Sequence, residues 1–278
     1  MKALEPLYLT ELFPKLDARL IELLRSLDDE DWNRPTVAKL WRVKDIAAHL
    51  LDGNIRRLSI HRDGYAGDPP GEIGSYQDLV EYLNRLNADW VKAARRISPR
   101  VLIDLLERTG REVYELFKTL DPHAPAIFSV AWAGEAKSEN WFDIARDYTE
   151  HWHHQQQIRL AVGKPGIMER ELYFPLLDTF LRALPHTYRN VEAPDGALLE
   201  VEVSGEAGGS WFLERRDGAW RLGRDAEGKP GARVVIDPDI AWRLFTKGIS
   251  RDEARRVMRF EGDEALGQMV LDVLAVMA

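Results

Sequence analysis

The sequence predicts two domains, a helical N-terminal half over residues 1–166 and a small α+β half over residues 167–278. Three observations carry that expectation. At 278 residues the chain exceeds the usual single-domain size and can supply two cores. Apolar residues recur at helical spacing from the first helix through Val162. After the stop signal Gly163-Lys-Pro165 the pattern turns to alternation, then to short helices, the order of an α+β domain.

The first helix spans about Glu5 to Leu27 with Leu16, Leu20, Leu23, Leu24 and Leu27 on its stripe, and Pro14 either kinks it or opens its main part. The second runs from Val43 to about His61 along Val43, Ile46, Ala47, Leu50 and Leu58. His49 borders that stripe and Gly53 follows one turn later, removing bulk beside the imidazole. Residues 61–71, rich in glycine and proline, form a loop. Ser75 caps a helix to about Ile97, and Ser98-Pro99 opens another to about Leu120. Residues 121–137 are irregular, with Phe128 to Trp132 a candidate pocket border.

The last helix of this half begins near Glu139. Trp141, Ile144, Ala145, Tyr148, Trp152 and Val162 share one side, while Glu150 and His154 point roughly 140–180° away. The aromatic side is then free to pack against a second domain. Beyond Pro165, a helix to about Tyr188 leads to strands at Leu199–Val203 and Trp211–Leu222, with Asp217-Gly218 a hairpin turn. Residues 225–231 read as another hairpin turn and Arg233–Asp237 as a strand. Asp237-Pro238 and Ser250 to Glu253 open helices. Val257–Phe260 reads as a short strand, and an amphipathic helix runs from Asp263 to the end.

Composition excludes several function classes. The net charge of −8 and the lack of a concentrated basic run argue against nucleic-acid binding. No long apolar run or signal-like apolar core stands out, so a cytoplasmic protein without membrane spans is expected. There is no cysteine, which removes disulfides and a cysteine nucleophile and restricts metal donors to His, Asp and Glu. Phosphate-binding glycine loops, His-Glu-x-x-His and Gly-x-Ser-x-Gly are absent.

What remains is His49 and the stretch Asp147-Tyr-Thr-Glu-His-Trp-His-His-Gln-Gln-Gln-Ile-Arg159, with three of the seven histidines. Glu150 and His154, four apart on a helix, can reach one ion. On spacing alone each has a plainer reading: His49 as a histidine at the core's edge, with Asp45 either orienting its ring or pairing with a cation, and Glu150 as the intrahelical partner of Arg146. His151 and His153 point elsewhere and read as interface or solvent residues.

Trp41-Arg-Val-Lys-Asp-Ile-Ala-Ala-His-Leu50 resembles the second-helix signature of DinB-like bundles, and Glu150 to Arg159 is similar to the last-helix signature of the mycothiol-dependent maleylpyruvate isomerase branch. Ala241 to Gly248 and Phe260 to Leu266 are similar to that family's C-terminal domain. The resemblance implies an up-down four-helix bundle followed by a sterol-carrier-like α+β domain, with His49, Glu150 and His154 as ligands of a divalent metal. Zn2+ is the expected ion, with Ni2+ and Fe2+ as alternatives. One position departs from the pattern, since the residue often acidic before Ile-Arg is Gln157.

The implied partners are a small-molecule substrate and a low-molecular-weight thiol, mycothiol or bacillithiol, acting in a monomer or homodimer. The implied activity is isomerisation or S-transfer on a small electrophile, acidic in the case of maleylpyruvate. Arg189, Arg215 and Arg216 match no family motif; they are candidate contacts for an acidic substrate, with surface charge as their plainer reading. A metal-dependent hydrolase would use the same three ligands, and a non-catalytic protein would hold an apolar ligand in the C-terminal domain.

Overall fold

The structure is a computed structural model that describes residues 1–276. Two compact units emerge. One comprises residues 8–127 and 150–167, and the other residues 1–7, 128–149 and 168–276. A division at 166/167 therefore meets a chain that enters the second unit twice before residue 168. Two contacts distant in sequence accompany this: the opening strand pairs within the C-terminal sheet, and the Tyr148 hydroxyl donates to Leu172 O.

The first unit is helical. α1 (Phe13–Arg25), α2 (Val43–Arg57), α3 (Tyr76–Ala94), α4 (Pro99–Thr119) and the C-terminal part of α5 (Asn140–Val162) contribute to one core. Its apolar residues include Leu20 and Leu24 from α1, Ile46 and Leu50 from α2, Leu102 and Leu106 from α4, and Ile158 from α5. The indole of Trp90 on α3 donates to Ala48 O on α2. Ser75 and Ser98 cap α3 and α4 by accepting from Asp78 N and Val101 N. α1 is shorter than expected, because Pro14 sits in its first turn and opens it rather than kinking it. α2 ends in a π-helical turn, Leu58–Arg62.

The second unit is α+β. A six-stranded sheet has the order β1-β4-β3-β2-β5-β6, built from Lys2–Ala3, Leu198–Val203, Gly209–Arg216, Ala219–Asp225, Ala232–Ile236 and Arg259–Gly262 in chain order. Leu199 and Val201 on β2 face Leu213 and Trp211 on β3, so the alternation buries one shared face. Around it lie the fully buried Tyr173 and Phe180 of α6 (Arg170–Leu181), a short α7 (Leu184–Thr187), and Trp242 and Phe245 of α8 (Pro238–Phe245). α9 (Arg251–Val257) carries the Ser250–Glu253 capping box.

The Asp217-Gly218 turn forms as expected, both residues adopting positive φ (53° and 72°) between β3 and β4. Residues 225–231 are not a hairpin. β3 and β2 lie between β4 and β5, and β5 pairs in parallel with β2, so this segment is a crossover. The expected C-terminal helix is reduced to α10 (Glu264–Gln268) and a 3-10 turn. Beyond it Val273, Ala275 and Val276 are all buried, and Ala275 N donates to Phe245 O, a tertiary bond that replaces helical pairing. Residues 277–278 of that expected helix lie outside the described residues. Val130 and Trp132 are buried, with Trp132 edge-on to Phe142 and Phe180, so this part of the irregular segment is core. No helix among the described residues is long and apolar enough to cross a membrane.

Candidate metal centre

α2 and α5 bring together the three residues that the sequence singles out. Ligand atoms of His49, Glu150 and His154 all lie within 4.8 Å of one another. His154 Nε2 stands 3.4 Å from Glu150 Oε2. Donors around a tetrahedral ion at about 2.1 Å are separated by roughly 3.4 Å, so this pair already has the spacing of one tetrahedral edge.

The plainer readings of these residues find other partners. Asp45 accepts from Arg42 N and closes the N-terminal capping box of α2. Arg146 pairs with the buried Asp143 at 2.6 Å. His49 Nδ1 is buried without a hydrogen-bond partner, an expensive state for a polar atom unless something else satisfies it. Burial, and next the neighbouring His154, hold the His49 imidazole well below its ordinary pKa. It is therefore neutral near pH 7, the form that can donate a lone pair.

His154 is held from its far side, its Nδ1 lying 2.9 Å from Gln157 Oε1. The Trp41 ring packs against His49 at 4.7 Å between centroids and reaches His154 at 6.0 Å, forming an aromatic wall beside the donors. The sequence shows Trp41 in a signature without giving it this role, and spacing alone does not require the His154–Gln157 pairing. A Cβ at Gly53 would meet nothing within 4 Å, so this glycine does not make room for a clash but borders open space on the His49 face of α2. Arg56, seven residues beyond His49 on that face, is paired with Asp52 at 3.1 Å.

The remaining histidines of the stretch are buried rather than solvent-facing. His151 Nδ1 meets Asp17 Oδ1 at 3.1 Å and its ring lies edge-on to Phe13, while His153 packs its ring 4.0 Å from that of His154. Trp152, expected to face a second domain, donates to Ile167 O within its own unit. Arg159 is buried and donates to Gln155 Oε1 and to the carbonyls of Arg19, Lys164 and Pro165. Of the candidate anion contacts, Arg189 donates to His186 O and Arg215 lies over the Trp220 ring, both local packing roles.

Comparison with known proteins shows the family. The family model for the mycothiol maleylpyruvate isomerase N-terminal domain matches residues 13–159, more than half of the chain and a span that includes His49, Glu150 and His154. The chain belongs to this family. Its fold is similar to the crystal structure of the mycothiol-dependent maleylpyruvate isomerase, with a TM-score of 0.52 at 11% identity over 84% of this chain and 86% of that one. A mutant of that isomerase gives a TM-score of 0.51 at 10% identity, with the same 84% and 86% coverage. Residues amounting to 37% of the chain also align with 84% of a UbiJ-SCP2 ubiquinone synthesis protein at 20% identity and a TM-score of 0.26. No curated protein sequence matches the chain.

Proposed function

We propose that this chain is a metal-dependent enzyme that uses a low-molecular-weight thiol, mycothiol or bacillithiol, to isomerise a small electrophile such as maleylpyruvate or to transfer the thiol onto it. The observation that supports this reading is the convergence of His49, Glu150 and His154 within 4.8 Å in a member of this family. Two imidazoles and one carboxylate suit a borderline cation, Zn2+ first, and three protein donors are the number a catalytic zinc site uses. When bound, such an ion supplies Lewis acidity that lowers the pKa of a thiol or water in its remaining position.

The chain's own residues do the rest. Glu150 brings the formal negative charge of the donor set, His154 is oriented by Gln157, and Trp41 walls the donors with apolar surface. With no cysteine in the chain, the thiol comes from outside the protein. Arg56, steadied by Asp52 beside the open space at Gly53, offers a cation to an acidic substrate.

Metal analysis of the purified protein beside His49→Ala and His154→Ala tests the reading. About one ion per chain is expected, lost in both variants. A metal-free wild type whose thermal stability matches both variants sinks it. A screen of mycothiol, bacillithiol, glutathione and coenzyme A against maleylpyruvate and other electrophiles should then show thiol-dependent turnover. Turnover of esters or amides without any thiol decides instead for hydrolysis with the same three donors.

A further inference from the structure

Of the two candidate histidine ligands, His154 is the one whose ring is tied from behind by a side chain. Its Nδ1 lies 2.9 Å from Gln157 Oε1, one turn along α5, while its Nε2 faces Glu150 Oε2 at 3.4 Å. An amide oxygen only accepts, so this contact requires the proton on Nδ1 and leaves the Nε2 lone pair aimed at the other two donors. Both side chains are buried, His154 at 6% and Gln157 at 4% exposure, so little water competes for the bond. An imidazole in water slightly favours the opposite tautomer, whose Nε2–H would point at Glu150 and present no lone pair to a cation.

We propose that Gln157 is a positioning residue: its amide oxygen accepts the Nδ1–H of His154 and fixes the tautomer that turns Nε2 toward Glu150 and His49. The inference rests on the metal reading above and deepens it. It also assigns a meaning to the neutral amide. A carboxylate at 157 would hold the same tautomer but add a negative charge behind the imidazole. That would strengthen cation binding and weaken the pull of the site on an anionic ligand such as a thiolate. Gln157 orients the ring without adding that charge.

The test uses the full-length chain with readouts that do not depend on turnover. Long-range 1H–15N correlation on the metal-free, 15N-labelled protein reports the His154 tautomer, competition against a chromophoric chelator reports Zn2+ affinity, and thermal unfolding reports fold integrity. The wild type is expected to show Nδ1–H. Gln157→Leu should move the population toward Nε2–H and weaken Zn2+ binding roughly 10–100-fold. Gln157→Glu should keep Nδ1–H and bind Zn2+ at least as tightly as the wild type.

Unchanged tautomer and affinity in Gln157→Leu overturn the proposal. Should that variant fail to fold, the wild-type tautomer and Gln157→Glu still decide it, since loss of Nδ1–H in the glutamate variant refutes the role. Nε2–H in a wild type that binds zinc overturns this inference alone. Nδ1–H without zinc binding in any variant overturns it through the metal reading, so the two failures are distinguishable.

Discussion

Replacing Arg159 by methionine should destabilise the helical unit by about 2–4 kcal/mol, and the structure supplies the arithmetic. Nη1 donates to Lys164 O at 3.2 Å and Pro165 O at 2.9 Å. Nη2 donates to Arg19 O at 3.0 Å and shares Gln155 Oε1 with Nε. Four acceptors thus lose their donor, at about 1 kcal/mol net apiece. The carbonyls of Lys164 and Pro165 lie beside exposed residues and can recruit water, which sets the lower bound at about half that sum. Arg159 also fastens α5 to α1 and to the chain that leaves it, as no single-point donor can. Lysine should therefore recover only part of the loss. For a unit of this size the expected fall in melting temperature is about 4–12 °C. Thermal unfolding followed by circular dichroism measures it. A fall below about 2 °C for the methionine variant would refute the idea that this guanidinium ties α5 in place.

Two further changes test the structure elsewhere. Gly134 has φ 84°, and a Cβ there would stand 2.4 Å from His186 Nδ1 and 3.0 Å from His186 Cβ, so Gly134→Ala should cost about 1–3 kcal/mol in equilibrium unfolding; no measurable loss would show that His186 yields freely. Burial raises the Asp52 carboxyl above its ordinary range while Arg56 pulls it down, so the folded state holds that proton more tightly than the unfolded one. Its stabilisation is present below the ordinary carboxylate value and is lost as pH rises, so the wild type should lose stability relative to Asp52→Asn from about pH 4 upward. Parallel stability–pH curves for the two proteins would contradict this.

The pieces legible in the sequence were those fixed by local spacing. Glu150 and His154 share a helix face because they are four apart, and the caps at Ser75, Ser98, Asp237 and Ser250 declare themselves within four residues. His49 became a ligand candidate through resemblance, because nothing in α2 alone separates a core-edge imidazole from a donor. The misread elements depend on distant partners. Two residues at the start of the chain become β1 only because β4 offers an edge, and residues 225–231 cross the sheet because β5 seeks β2. The pairing of His154 with Gln157 depends on rotamers, which spacing permits without requiring.

The stretch of α5 that follows Glu150 is both buried and polar. Residues 151–159 are buried without interruption, more than two helical turns, so every face of the helix is covered. A helix enclosed all round is normally apolar, yet this segment holds three histidines, three glutamines and an arginine. Each such group costs free energy to bury unless it is hydrogen-bonded. His151 on Asp17, Gln155 on Leu16 O, Arg159 on three carbonyls and His154 on Gln157 show how that cost is met, while Gln156 Oε1 stays without a partner. Apolar residues of the same volume would often be as stable or more so. A network of this kind does hold side chains in single orientations that an apolar core leaves free, and two of the three converging donors lie on this helix. The polar segment therefore holds its side chains by hydrogen bonds rather than by apolar packing, and His154 is one of the side chains so held.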